Sequence, residues 1–127
     1  MEPKKFLEEL NTVRELMTKE MYIDALKILE KLKKSDKEIN QDHNYTLIHQ
    51  LYQLDSNCKS ALNQQLIQNY LENVLNKRKT ITFRDLNRNL RDKGILDIDE
   101  DVLRKEVELL ILRNRLHCRI DKETIIK

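Results

Sequence analysis

A chain with one glycine and one proline in 127 residues has almost no means of making tight corners or kinks, so its backbone must run through long regular elements. The apolar spacing says which kind. Phe6, Leu7, Leu10, Val13, Leu16 and Met17 recur at steps of three and four, which puts them on one face of a helix over about residues 3 to 19. Pro3 stands near its start, where a missing N–H is harmless. Tyr22, Ala25, Leu26, Leu29 and Leu32 repeat the spacing, and Lys31, Lys33 and Lys34 complement the negative end of a helix dipole, so a second helix is expected to about Lys34. Ser35 to Asn44 is polar, holds Asp36, Asn40, Asp42 and Asn44, and reads as a loop, because such side chains compete for backbone hydrogen bonds. Tyr45, Ile48, Leu51 and Tyr52 predict a short helix. Ala61, Leu62, Leu66, Ile67, Tyr70, Leu71, Val74 and Leu75 predict a longer one, with Asp55 to Asn57 as the loop between the two.

Beyond Asn76 the pattern changes. Thr80-Ile81-Thr82 is β-branched throughout, and Thr82-Phe83-Arg84-Asp85 fits a capping box, so a short strand should pass at once into a helix. Phe83, Leu86 and Leu90 give that helix its apolar stripe, and Gly94 should follow its end at about Lys93 in a left-handed conformation. Asp97 or Asp99 is placed to cap a further helix, buried through Val102, Leu103, Val107, Leu110 and Ile111 and ending near Asn114. Leu116, Cys118 and Ile120 alternate with His117, Arg119 and Asp121, and Thr124-Ile125-Ile126 follows after a turn, the pattern of a hairpin with one buried face. The expected fold is mainly α: a bundle of about four helices over residues 1–76, then a winged helix with a small β-hairpin over 77–127, packed as one continuous unit.

The winged-helix reading gathers specific residues. Arg115-Leu116-His117-Cys118-Arg119-Ile120-Asp121-Lys122, preceded by Lys79-Thr80-Ile81-Thr82-Phe83-Arg84-Asp85-Leu86, resembles the winged helix that ends PCI-domain proteins, scaffold subunits of the proteasome lid, the signalosome and a translation-initiation complex. The resemblance covers residues 62–127 and includes the Ile120-Asp121 pair after the last helix. It implies lateral packing of winged helices between subunits and no catalysis. PCI subunits carry a longer helical array before this module, so it implies a minimal or truncated member. Over residues 7–76, Ala25 to Leu32 and Leu62 to Tyr70 look similar to the first and last helices of the TFIIS N-terminal domain, a peptide-docking bundle of transcription elongation factors, with Tyr70 where that family has tryptophan.

Charge decides among functions. The net charge of +2 gives no global argument for a polyanion. Locally, Lys77, Arg78, Lys79, Arg84, Arg88, Arg91 and Lys93 face two acids, whereas Asp97, Asp99, Glu100, Asp101, Glu106 and Glu108 face two cations. A winged helix that reads DNA needs donors at the start of its second helix, and here that start is acidic. Nucleic acid is therefore disfavoured as a partner, with Lys77, Arg78 and Lys79 the residues that would contact it. The surface expected to meet protein subunits is the edge strand and the basic helix: Leu116, His117, Arg119, Asp121, Arg84, Arg88 and Arg91. In the TFIIS-like alternative, Tyr45, Tyr52 and Tyr70 shape a peptide groove.

Catalytic signatures are lacking. One glycine cannot build a phosphate-cradling loop, and no GxSxG or HExxH occurs. His117 and Cys118 should point to opposite faces of a strand, and His43 and His49 lie in or near polar segments. Cys58 and Cys118 match neither a disulfide framework nor a metal pair, and Cys118 is expected buried as a small apolar residue. The expectation is a non-enzymatic chain with no cofactor, metal or small-molecule substrate. With no apolar run of about 18 residues and no signal-like start, it should work in the cytoplasm or nucleus without a membrane.

Overall fold

The computed structural model describes residues 2–39 and 45–127, without the side chains of 36–39. The chain is mainly helical with a small antiparallel sheet, in the order α1 (Pro3–Thr18), α2 (Tyr22–Ile39), α3 (Tyr45–Arg78), β1 (Thr80–Thr82), α4 (Phe83–Asp92), α5 (Glu100–Leu112), β2 (Arg119–Asp121) and β3 (Thr124–Ile126). It divides into two compact units, Met1–Leu62 and Asn63–Lys127, and α3 contributes residues to each.

In the first unit α1 and α2 bury the stripes that their spacing dictates: Phe6, Leu10 and Val13 from one, Ala25, Leu29 and Leu32 from the other, with Leu51 and Cys58 of α3 completing the core. Helix α2 runs to Ile39, past the expected stop at Lys34, so Ser35 opens no loop; residues 40–44, His43 included, lie outside the described residues.

The larger correction is that no loop interrupts α3 at Asp55 to Asn57. The stripe Leu51, Leu54, Cys58 carries helical spacing straight through the small polar residues. Asp55, 7% exposed, sends its carboxylate sideways to Lys33 (3.2 Å) and Lys59 (3.1 Å) instead of competing for its own backbone. A hydrogen bond with Glu30, reinforced by Asp55, holds the Lys33 ammonium above the ordinary lysine range despite its partial loss of water. The Cys58 Sγ, one residue past the expected loop, donates to the Tyr22 carbonyl at 3.4 Å, so the helix is anchored to α2 at Asp55 and again just beyond Asn57.

The second unit forms around Ile67, Leu71 and Leu75 of α3, Ile81 and Ile125 of the sheet, Phe83, Leu86 and Leu90 of α4, and Leu103, Val107 and Leu110 of α5. Its three strands lie in the order β1-β3-β2, all antiparallel, with Ile81 paired to Ile125 and Ile125 to Ile120. The Thr82 hydroxyl accepts the Asp85 N–H at 3.1 Å, as an N-cap should, while Asp85 Oδ1 takes Arg88. Gly94 follows α4 at φ 69°: its N–H reaches the Arg91 carbonyl and the Ile95 N–H the Leu90 carbonyl, which closes the helix in a Schellman motif. At α5 the N-cap is Asp99, but its side chain makes no capping bond. The hairpin strand begins at Arg119, so Leu116, His117 and Cys118 precede it; Leu116 turns into the core and Cys118 is only half-buried.

Candidate functional site

The second unit concentrates the features by which the chain could engage a partner, and the sheet fixes most of them. Two central residues, Lys122 and Glu123, join β2 to β3, and Lys122 takes φ 55°. In a two-residue hairpin the closing pair, here Asp121 and Thr124, exchanges both backbone bonds. The next pair, Ile120 and Ile125, does not: Ile125 turns its N–H and carbonyl to Ile81 of β1, and Ile120 turns its own away from the sheet. With β2 at the edge, the Ile120 N–H and carbonyl are the backbone groups that an added strand would meet.

Arg104 of α5 holds this hairpin. Its Nη2 donates to the Lys122 carbonyl (2.8 Å), its Nη1 to Glu123 (3.2 Å) and its Nε to Glu108 (3.3 Å), and the guanidinium lies over the Phe83 ring at 5.0 Å. The Phe83 N–H donates to the Glu123 carbonyl, so the turn is tied to both α4 and α5. Only the i, i+4 relation of Arg104 to Glu108 was visible in the sequence.

The expected site residues divide by place. Arg84, Arg88 and Arg91 are exposed on one face of α4, opposite Phe83, Leu86 and Leu90, with Arg88 paired to Asp85 at 2.8 Å. His117, Arg119 and Asp121 are exposed. Leu116 is 3% exposed within the core and offers no surface to a partner, because it lies before the strand rather than on it. Lys77, Arg78 and Lys79 are exposed where α3 ends. Asp97, Asp99, Glu100 and Asp101 are exposed around the start of α5.

The three tyrosines do not gather. Tyr45, 91% exposed, and Tyr52, 42% exposed, belong to the first unit, where Tyr52 borders a shallow depression with Glu30, Lys31, Lys33 and Lys34. Tyr70 belongs to the second and lies half-buried under the Lys93 ammonium, 5.1 Å away. A second shallow depression, in the first unit, is apolar and lined by Ile23, Leu26 and Leu62 with the stems of Lys27 and Glu30.

Burial pushes the thiols of both Cys58 and Cys118 above their ordinary pKa, with the Asp55 carboxylate adding to the effect at Cys58. Neither is poised as a nucleophile, which requires a depressed value. Among the described residues no group of three or more His, Cys, Asp or Glu is placed to hold a metal ion, and no helix is long and apolar enough to cross a membrane. Compared with protein-family models, curated proteins and solved structures, the chain matches none.

Proposed function

We propose that this chain is a non-catalytic scaffold or adaptor subunit of the cytoplasm or nucleus, and that residues 63–127 act as a winged helix that joins protein partners in a multisubunit assembly. The order helix, strand, helix, helix, strand, strand, with the first strand paired to the last and the middle one at the edge, supports the winged-helix reading. The observation that carries the function is the open β2 edge, with the Ile120 backbone turned outward on a hairpin that Arg104 holds in place. The exposed carboxylates at the start of α5 argue against the alternative use of the same fold, insertion of that helix into a DNA groove. A peptide groove built from Tyr45, Tyr52 and Tyr70 has less support, since the residues fall in separate units.

Proline tests the edge directly. In Ile120→Pro the lost N–H is one that the hairpin does not use, so the fold should persist while strand addition is blocked. Tagged protein purified from its own cells should carry a fixed set of subunits in stoichiometric amounts, retained by Ile120→Val and lost by Ile120→Pro. Retention of the same subunits by Ile120→Pro, or purification as a lone chain, would sink the proposal.

A further inference from the structure

We infer that the end of the second unit's sheet, where α3 and α5 terminate, binds the phosphate backbone of a nucleic acid without regard to base sequence. Three stretches of the chain carry no acidic side chain: 73–83, 109–120 and 124–127. The fold brings their cations to one rim. The Lys127 N–H donates to the Lys79 carbonyl at 2.9 Å, and its Nζ to Asn76 Oδ1 at 2.9 Å. Arg119 pairs in register with Ile126, one residue from Lys127. Arg113 Nη1 reaches Gln64 Oε1 at 2.9 Å, and the Gln68 side chain donates to the Arg115 carbonyl at 3.2 Å. Lys77, Arg78, Lys79, Arg113, Arg119 and Lys127 are all exposed.

Their arrangement is a strip rather than a point. The partners Gln64 and Asn76 mark its two ends along α3, and twelve residues of helix rise about 18 Å. A point cluster suits one phosphate, whereas cations spread over this length suit a chain of them. The acidic start of α5 lies at the far end of a 13-residue helix, roughly 20 Å from Arg113. The nearer carboxylates are Glu72, which accepts from the Gln68 side chain at 3.1 Å, and Asp121, two residues from Arg119, so these acids offset only part of the charge of the exposed cations.

A blander account has the cations complementing the carbonyl ends of α3 and α5. That covers Lys77 and Arg78, but Arg119 and Lys127 are on or beside strands, outside the last turn of either helix. A protein partner would call for an exposed apolar or aromatic anchor among the charges. The residues interspersed here are Glu72, Asn76, Thr80, Asn114 and His117. Ile111 and Cys118 are only half-buried, in a shallow depression that Arg119 and Lys127 border. Leu116 is buried, and the exposed Leu112 shares the outer stripe of α5 with Lys105 and Glu108, so no large apolar side chain stands out among the cations. Arginine forks match phosphate oxygens in pairs, and without an exposed aromatic ring on the strip there is nothing to stack on a base.

The test is fluorescence anisotropy of labelled 20-mers, single-stranded and duplex, with the full chain. Binding should appear at low salt, and log K should fall against log salt with a slope of roughly −3 to −5, the value for four to six phosphate contacts. Arg78→Glu with Arg119→Glu should weaken binding at least tenfold, and Arg78→Gln with Arg119→Gln should flatten the slope by about 1.5 even if the reversal disturbs folding. Arg84→Glu with Arg88→Glu, on the separate α4 face, should lose far less. Three results would each overturn the inference: no binding at low salt, equal loss in the α4 variant, which marks a global charge effect, or equal affinity and variant sensitivity for a polyglutamate peptide, which marks an acidic protein partner. The edge-strand test is independent of these, because Ile120→Pro leaves every cation of the strip in place.

Discussion

Left-handed residues punctuate this chain more often than its single glycine would suggest. Glu20, Lys79, Asn114 and Gly94 all take positive φ just after a helix, and around Glu20, Gly94 and Asn114 the same two backbone bonds close the turn. A Cβ at Gly94 would meet nothing within 4 Å, so Gly94→Ala isolates the backbone term and should destabilise the protein by about 1 kcal/mol. Glu20→Gly should act oppositely, relieving that strain at some loss of unfolded-state entropy, for a net gain of about 0.5 kcal/mol. Urea midpoints at constant m-value measure both. The thiols give a second test. Cys58 is 0% exposed and Cys118 half-buried, so iodoacetamide should label Cys118 first and Cys58 only in denaturant, as read by mass spectrometry. Because both folded pKa values are raised, the neutral thiols stabilise the fold fully below the unfolded thiol pKa of about 8.5, and that contribution is lost as pH rises through the folded values. The labelling rate of native Cys118 should therefore keep climbing above the pH at which the denatured thiol has levelled off.

Among the elements, the legible ones carry their own start and stop signals. β1 and α4 could be read from Thr80 to Gly94 because the cap, the apolar stripe and the left-handed stop are all local. The continuity of α3 through Asp55 to Asn57 is not legible locally, because Lys33, which draws the Asp55 carboxylate away from the backbone, and the Tyr22 carbonyl, which takes the Cys58 thiol just beyond, lie more than twenty residues upstream. The site divides the same way. The cations of α4 follow from spacing, while the rim of Lys79, Arg113, Arg119 and Lys127 exists only once β3 pairs with both of its neighbours. Arg104 is the sharpest case, since no sequence signal ties it to residues 18 and 19 positions later. Arg104→Ala removes bonds to the turn and the contact with Phe83, and should destabilise the second unit by about 1–2 kcal/mol. Arg104→Lys should recover only part of this, because a single ammonium cannot reach the carbonyl and both carboxylates as a fork does. Equal stability of the Lys variant and the native chain would mean that the hairpin is held by its own ladder.

At the scale of the whole molecule, two cores share one helix. Phe6, Leu10, Leu29 and Leu51 belong to one cluster and Ile67, Phe83, Leu103 and Ile125 to the other, and among the described residues no buried one belongs to both. Stability should then be local: a cavity in one core weakens the contacts around it without removing any from the other. Leu29→Ala, at a site with 0% exposure, should lose about 2–5 kcal/mol and speed amide exchange through α1, α2 and residues 45–62 of α3. Leu86→Ala, buried as fully, should do the same for the sheet, α4, α5 and residues 63–78, and leave α1 protected. Helix α3 makes the experiment decisive, because its amides report on both cores within one element. Protection that breaks near residue 62 in each variant would establish two cooperative units that divide one helix between them. A uniform rise in exchange along all of α3 in either variant would instead mean that the helix transmits every loss, and that the cores unfold as one.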